Sequence, residues 1–241
     1  MTLWITTIQA AQAIVPGRKH APGPIKTTHT WKAISCPTVG ASSALTAVAA
    51  ATPRDAWAVG YSQTQAFTTT PLLEHWNGSS WSVETGAQGS TPGLLVAVAE
   101  IAPNNVWTIG TTLSMQATPS PLIEHWDGTS WQNVLSPAGN YTLLSLAARS
   151  AQDIWAVGYS DAINQPGTYQ TLIEHWNGTS WQIVASPSPG EISTLTSVSV
   201  LSPTDAWAVG NQSGGIAPQT LIEHWDGQSW SVVPSPNQGT V

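Results

Sequence analysis

The sequence repeats itself about every 50 residues, and this periodicity constrains the fold more than any other feature. The phrase L-[LI]-E-H-W-[DN]-G-x-S-W occurs four times, at 72–81, 122–131, 172–181 and 221–230. A shorter phrase, [DN]-x-W-[AT]-[VI]-G, precedes each copy, at 55–60, 105–110, 153–158 and 205–210. The last tryptophan of the long phrase, with one more copy near the amino terminus, recurs at spacings of 50, 50, 50 and 49 residues: Trp31, Trp81, Trp131, Trp181 and Trp230. One structural unit is therefore repeated along the chain.

Each repeat predicts four short β-strands. The last repeat shows them as T-L-T-S-V-S-V-L (194–201), A-W-A-V-G (206–210), T-L-I-E-H-W (220–225) and S-W-S-V-V (229–233). Runs of β-branched and aromatic residues bounded by turn residues are typical of strands. An Asp-Gly or Asn-Gly step before the last strand predicts a two-residue hairpin turn. Because no stretch within the repeats has a helical period, we predict an all-β fold, a β-propeller of four-stranded antiparallel blades.

The repeat also predicts the domain organisation. We place four complete blades at about 44–85, 94–137, 142–187 and 194–236, within a propeller domain spanning 31–241. The segment W-K-A-I-S-C-P (31–37) aligns with W-Q-I-V-A-S-P (181–187), which predicts an extra outer strand at 31–36. Residues 1–30 break the pattern, and we interpret them as a tail or a degenerate blade remnant. The surplus strand indicates a segment of a longer array, so a closed four-bladed monomer and a homo-oligomer completing a larger ring both stay open.

These phrases resemble the Trp-rich blades of bacterial β-propeller repeat proteins. The plan is similar to that of WD-repeat and kelch propellers, without their exact signatures. The W-[DN]-G-x-S-W step is also similar to the Asp box of sialidases, S-x-D-x-G-x-T-W, although the spacing between Asp and Gly differs. The resemblance covers about 31–241 and implies a propeller fold; it implies no particular activity.

The charge content excludes several classes of partner. Charged residues make up 8% of the chain, with 6 Lys+Arg and 13 Asp+Glu, against roughly 25% in an average globular protein. Because nucleic acid and anionic membranes bind clustered Lys and Arg, we expect neither nucleic-acid binding nor membrane insertion. A single Cys excludes an internal disulfide and any multi-Cys metal site, and we expect no cofactor and no metal.

Polar residues that recur with the repeat are interpreted as structural. Glu and His of each Glu-His pair fall on opposite faces of a strand, so the two cannot bind one metal ion. We expect the histidines to hydrogen-bond a neighbouring blade or turn: His75, His125, His175 and His224. We expect the aspartates before the second-strand tryptophan to bond nearby backbone in a turn: Asp55, Asp153 and Asp205. No carboxylate pair for acid–base catalysis and no nucleophile motif is evident, so we predict no catalytic residue.

The loops between the second and third strands differ from blade to blade. They span 61–71, 111–121, 159–171 and 211–220, which are 11, 11, 13 and 10 residues long. Every aromatic residue other than Trp falls in these loops, in the interblade linkers or at their margins: Tyr61, Phe67, Tyr141, Tyr159 and Tyr169. Because loops on a rigid scaffold carry function and Tyr suits binding surfaces, these five are candidate ligand-binding residues. The alternative is that the rings only fix their own loops.

These features lead us to expect a non-catalytic propeller scaffold, not an enzyme, that binds a protein or polymer ligand through the loop face. We expect an extracellular or cell-envelope setting, although residues 3–15 make no convincing signal peptide. The alternative is a multivalent carbohydrate-binding lectin with one site per blade, which requires repeat-identical tryptophans to be exposed. A glycosidase of the sialidase plan ranks third because the Arg cluster that it requires is missing.

Overall fold

The structure is a computed structural model and describes residues 32–87, 92–113, 120–137, 139, 141–161, 167–214 and 217–237. The chain divides into two units, residues 1–33 and residues 34–241. All the strands among the described residues lie in the second unit, and none of the described residues is helical. The described part of the chain consequently holds no helix long and apolar enough to cross a membrane.

Four consecutive strands form each antiparallel unit, which we term a blade. The first blade contains β1 (Ser42–Thr52), β2 (Asp55–Gln63), β3 (Thr69–Trp76) and β4 (Trp81–Glu84). The second contains β5 (Gly93–Ala102), β6 (Asn105–Thr112), β7 (Ser120–Trp126) and β8 (Trp131–Asn133). The third contains β9 (Tyr141–Ser150), β10 (Asp153–Asp161), β11 (Tyr169–Trp176) and β12 (Trp181–Ile183). The fourth contains β13 (Ile192–Ser202), β14 (Asp205–Ser213), β15 (Gln219–Trp225) and β16 (Trp230–Val232).

The all-β, four-stranded antiparallel architecture predicted from the repeat is confirmed. Strands pair in chain order within each blade, and the third and fourth blades also join through one parallel pair, Tyr169 with Ile192. Among the described strands, none of the first blade pairs with a strand of the fourth blade. The extra outer strand expected at 31–36 stays a prediction, because residues 32–39 lie in no strand and Trp31 is outside the described residues. Residues 1–30, which we interpret as a tail or a degenerate blade remnant, also lie outside the described residues, so that interpretation stays a prediction.

The hydrophobic core lies between successive blades. Alternation along β2 directs Trp57 and Val59 to one face, where they pack with Leu95, Val98 and Trp131 of the second blade. Equivalent clusters join the second blade to the third and the third to the fourth. Burial of large aromatic side chains supplies much of the apolar area that holds neighbouring blades together.

The connection between the third and fourth strands differs from the predicted two-residue hairpin. In the first blade it spans four residues, 77–80, between Trp76 and Trp81. The Asn77 Oδ1 atom accepts hydrogen bonds from the backbone N–H groups of Ser79 and Ser80, both at 3.0 Å, and Gly78 takes a φ of 92°. The Asx side chain thus forms the turn by capping backbone donors, which is a longer loop than the Asn-Gly step alone implies.

Candidate functional site

Each blade carries the same cluster of an Asx, a Trp and a His residue at one end of its strands. Because β2 pairs with β3, Trp57 lies opposite His75, and Asp55 falls on the same face two residues earlier. The His75 Nε2 atom lies 2.8 Å from Asp55 Oδ1, and the imidazole stacks on the Trp57 ring with centroids 4.4 Å apart. The other blades repeat the His–Asx bond at 2.9, 2.9 and 3.0 Å: His125 with Asn105, His175 with Asp153, and His224 with Asp205.

This cluster corrects the expected partners of the repeat histidines and aspartates. Each His bonds an Asx side chain of its own blade, whereas the sequence led us to expect a neighbouring blade or a turn. Asp153, Asp205 and Asn105 also accept a hydrogen bond from the indole N–H of the tryptophan two residues later, at 3.0, 2.9 and 2.9 Å. The physical reason is the strand pairing, which the sequence alone does not position: it brings residues 19 to 22 apart in the chain into direct contact.

The third blade adds a cation to the cluster. Arg149, at the end of β9, donates from Nε to Asp153 Oδ2 at 2.6 Å, while His175 and Trp155 bond Oδ1. Burial raises the pKa of Asp153, but the hydrogen bonds from Arg149 and His175 outweigh that effect and lower its pKa overall. In the second blade Asn105 replaces the carboxylate, and burial lowers the pKa of His125.

A groove of about 270 Å³ lies beside this third cluster, between the third and fourth blades. Its lining comes from both blades: Arg149, Ser150, Gln152, Asp153, Trp155, His175, Pro203 and Trp225. Trp155 is buried, whereas Trp225 is half-buried and donates its indole N–H to the Pro203 carbonyl at 3.0 Å. The polar edge of Trp225 is therefore engaged by protein, and its apolar surface contributes to the groove.

The groove lies at the opposite end of the strands from the aromatic residues predicted to bind a ligand. Of these five, only Phe67 lies in a loop, because the strands extend further than the sequence indicated. The other four lie in β2, β9, β10 and β11: Tyr61, Tyr141, Tyr159 and Tyr169. Tyr159 and Tyr169 come together, with ring centroids 5.0 Å apart in an edge-to-face arrangement. Phe67 is 84% exposed, with a φ of 59°, and Tyr61 is half-buried. Tyr141 is buried, and its hydroxyl contacts Ser136 and the Pro137 carbonyl. The ligand-binding role of these five residues stays a prediction.

A second depression, of about 460 Å³, lies near the loop end of the third blade. Among its lining residues, the Thr171 hydroxyl lies 2.8 Å from the hydroxyls of Ser186 and Ser188 and from the Pro187 carbonyl. These polar groups satisfy one another, so the Thr171 hydroxyl is engaged by the protein itself.

The glutamate of each Glu-His pair is buried on the strand face opposite its histidine. Glu74, Glu124, Glu174 and Glu223 are at most 1% exposed. Glu174 accepts a hydrogen bond from Ser136 Oγ at 3.0 Å, across the junction with the second blade, whereas both Glu223 oxygens lack a partner among the described residues. Burial raises the pKa of Glu74 and Glu174, and it raises the pKa of Glu223 to about 8. Glu174 thereby lies inside the packing between the second and third blades, whereas Glu74 belongs to the first blade, which has no preceding blade among the four.

A pair of carboxyl groups that the sequence analysis missed lies between the first two blades. Glu100, on β5, approaches Asp55 and His75 of the first blade, and its carboxyl oxygens are shielded from solvent. Burial, reinforced by the Asp55 carboxylate, raises the pKa of Glu100 to about 7. No signal could have identified the pair from the sequence, because Glu100 occupies a register position held by Ala148 and Val200 in later blades.

Among the described residues, no group of three or more His, Cys, Asp and Glu side chains has the arrangement of a metal site.

No protein-family model matches the sequence, and no curated protein matches it. Solved structures do resemble the fold. One of them is the crystal structure of a thermostable family-43 glycoside hydrolase, which is 7% identical, with 85% of this chain and 76% of that chain covered and a TM-score of 0.46. The likeness concerns an all-β, propeller-like arrangement in outline and assigns no residue of this chain a role.

This comparison corrects two expectations from the sequence. The solved structure that the chain resembles is that of an enzyme, a glycoside hydrolase. The expected non-catalytic scaffold binding through its loop face, and the expectation that the chain is not an enzyme, therefore do not stand. Composition and repeat pattern could not decide the point, because a fold of this kind hosts unrelated functions and the function resides in particular sites.

Proposed function

We propose that the chain binds carbohydrate in the groove between the third and fourth blades. The observation that carries the proposal is the half-buried Trp225 beside the Arg149–Asp153–His175 network. Sugar rings present apolar C–H faces and a rim of hydroxyl groups. A surface that joins an aromatic ring to fixed donors and acceptors complements both features.

The exposure of the repeat tryptophans supports this proposal. The tryptophans of the first phrase are buried in the first three blades, and the last tryptophan of the long phrase is buried in the last three: Trp57, Trp107 and Trp155, and Trp131, Trp181 and Trp230. The tryptophan at the end of the third strand is half-buried in every blade: Trp76, Trp126, Trp176 and Trp225. Each donates its indole N–H to the carbonyl of a turn residue, at 3.0 to 3.3 Å. This fixed, half-exposed ring is the type of surface that stacks on a sugar.

The charges favour a neutral sugar. Arg149 is the only residue at its register position that carries a charge, because Ala51, Ile101 and Leu201 occupy it in the other blades. Its guanidinium is paired with Asp153 at 2.6 Å, so an acidic sugar would have to compete with that carboxylate. Arg149 and Gln152 line the groove, and among the described residues neither the other guanidinium nitrogens nor the Gln152 side-chain amide has a hydrogen bond, so they can serve hydroxyl groups.

The test is a screen of neutral and acidic oligosaccharides on an array, followed by calorimetric titration of the strongest neutral hit. Arg149→Ala should weaken that binding by about tenfold, since a hydrogen bond to a charged group contributes roughly 1.5 kcal/mol. The control is Arg54→Ala, which removes a cation at the same end of the first blade and should leave the affinity unchanged. Absence of any hit, or equal losses in both variants, would overturn the proposal. Release of new reducing ends during the same incubation reports whether the bound sugar is also cleaved.

We also propose the finer assignment to the Trp-rich bacterial propeller repeat proteins, supported by the three tryptophans in each repeat.

A further inference from the structure

Three successive blade junctions are built from the same aromatic contact. Trp57 of the first blade packs against two tryptophans of the second, Trp126 and Trp131, with ring centroids 5.3 and 5.0 Å away. The next junction places Trp107 at 4.8 and 5.8 Å from Trp176 and Trp181. The third places Trp155 at 5.2 and 5.3 Å from Trp225 and Trp230. A blade therefore has an outgoing face, centred on its second strand, and an incoming face, which covers the outgoing face of the blade before it.

The outgoing face of the fourth blade is bare. Trp57, Trp107 and Trp155 are at most 2% exposed, whereas Trp207, at the same position in the fourth blade, is 37% exposed. Val209 is 41% exposed, although its counterparts in the other blades are fully buried: Val59, Ile109 and Val157. The exposed residues are apolar, whereas the terminal repeat of a self-contained array normally carries a polar outer face.

The incoming face of the first blade is exposed at its innermost strand, whereas Leu72 and Glu74 on the same face are buried. Val98, Leu146 and Val198 occupy one register position on the innermost strand and are 8 to 9% exposed. Val48 holds that position in the first blade and is 62% exposed. Trp81 is half-buried, whereas Trp131, Trp181 and Trp230 are buried. Each exposed region is thus part of the surface that the other one meets at the junctions within the chain.

A backbone contact across the first junction has an unused counterpart at the fourth blade. The Thr46 hydroxyl of the first blade lies 2.8 Å from the Leu95 carbonyl of the second. Thr196 occupies the Thr46 position in the fourth blade and is exposed. Its hydroxyl lies 3.3 Å from the Val209 carbonyl of its own blade. In a fourth junction built like the first, Thr196 would face the Leu45 carbonyl of a first blade.

We propose that a second copy of this chain covers both faces. The fourth blade of each copy docks on the first blade of the other, which closes a two-chain ring of eight blades. The occupant is a second copy because the two uncovered surfaces belong to one molecule and complement each other. The new interface continues a junction that the chain already forms three times. In such a ring the two contacts are equivalent by two-fold symmetry, and each joins two different surfaces.

Sedimentation equilibrium of the full chain over a range of concentrations tests the proposal. The expected mass is about twice the 25.3 kDa of one chain. Val48→Lys and Trp207→Lys each place a charge in one of the two faces, so each variant alone should sediment as a monomer with an unchanged far-ultraviolet dichroism spectrum. The matched control is Leu135→Lys, at a residue that is 90% exposed outside both faces, and this variant should remain a dimer.

An equimolar mixture of the two lysine variants provides the sharper test. The Val48→Lys chain keeps an intact fourth blade and the Trp207→Lys chain keeps an intact first blade, so the mixture should regain a dimer through one junction. A dimer that joins two first blades or two fourth blades would not be restored by mixing. A mixture that stays monomeric would therefore overturn the head-to-tail arrangement. A wild-type chain that stays monomeric, with Val48→Lys strongly destabilising it, would mean that the chain covers its own face, and the proposal would fail. If Trp207→Lys does not fold, Val209→Lys replaces it. Carbohydrate binding by the Val48→Lys monomer separates this result from the fate of the groove proposal.

Discussion

His175 and Asp153 lie 22 residues apart in the chain and are joined by a hydrogen bond of 2.9 Å between Nε2 and Oδ1. The same Oδ1 accepts the Trp155 indole N–H, and Oδ2 accepts Arg149. One carboxylate therefore holds the ends of three strands, β9, β10 and β11, at the rim of the candidate groove.

Replacing Asp153 tests how much this carboxylate contributes to stability. Asp153→Ala leaves His175, Trp155 and Arg149 without their acceptor and should lower the free energy of unfolding by about 3 kcal/mol. Asp153→Asn keeps the Oδ1 acceptor, as Asn105 does in the second blade, and should cost about 1 kcal/mol, since only the partly exposed Arg149 pair is lost. Urea unfolding measures both. Equal losses in the two variants would show that the charge, rather than the acceptor geometry, stabilises the blade.

Glu100 should destabilise the protein at neutral pH. Its carboxyl is shielded from water beside Asp55, so ionising it costs free energy, which is why its pKa is raised to about 7. Glu100→Val, the residue that the fourth blade uses at this position, should raise the free energy of unfolding by about 1 kcal/mol at pH 8 and by less at pH 5. Glu100→Gln serves as the isosteric control. A Val variant less stable than wild type at pH 8 would contradict this account.

The buried glutamates predict a fall in stability as the pH rises. The pKa values of Glu223 and Glu100 are raised from 4.5 to about 8 and about 7, so between pH 4.5 and pH 8 the folded chain holds more protons than the unfolded chain. The slope of unfolding free energy against pH is therefore negative in that window. The thermal midpoint should fall from pH 5 to pH 8, and Glu223→Gln should flatten the decline.

Aspartates have the opposite effect at lower pH. Hydrogen bonds lower the pKa of Asp226 and the pKa of Asp153 from the usual value of 3.8. The stabilisation that the two ionised carboxylates contribute is therefore lost only as the pH falls below about 3.8. The glutamates with raised pKa values destabilise the fold above about pH 4.5, and the aspartates with lowered pKa values destabilise it below about pH 3.8. The free energy of unfolding should therefore be greatest near pH 4.5 to 5. A maximum at pH 7 to 8 in scanning calorimetry would be inconsistent with the buried, protonated glutamates.

The glycine that ends the short phrase should tolerate no side chain. A Cβ atom at Gly158 would lie 1.8 Å from the Thr142 carbonyl oxygen on the adjacent strand, so β9 would have to move. Gly158→Ala should therefore lower the free energy of unfolding by about 3 kcal/mol. Gly167→Ala is the matched control, because that Cβ would meet nothing within 4 Å, and the positive φ there should cost only about 1 kcal/mol. Chemical denaturation of both variants measures the difference.

The sequence determined the blade, because a blade depends on local patterns. Alternating side chains, turn residues and the 50-residue period specify four antiparallel strands, and the [DN]-x-W-x-x-G phrase marks the second strand in every copy. The four-residue Asx turn at Asn77 was the local feature that the pattern described incompletely. There the side chain, rather than the Asn-Gly step, sets the loop length.

Only the tertiary structure decided which residues of different blades come into contact and which blade surfaces stay exposed. It placed Trp225 of one blade beside Asp153 of the previous one, brought Glu100 to Asp55, and left Trp207 and Val48 uncovered while their repeat equivalents are buried. A repeating sequence assigns equivalent residues equivalent surroundings within a blade. It cannot say which blades have a neighbour, because burial and pKa shifts depend on surfaces that meet across distances of about 50 residues in the chain.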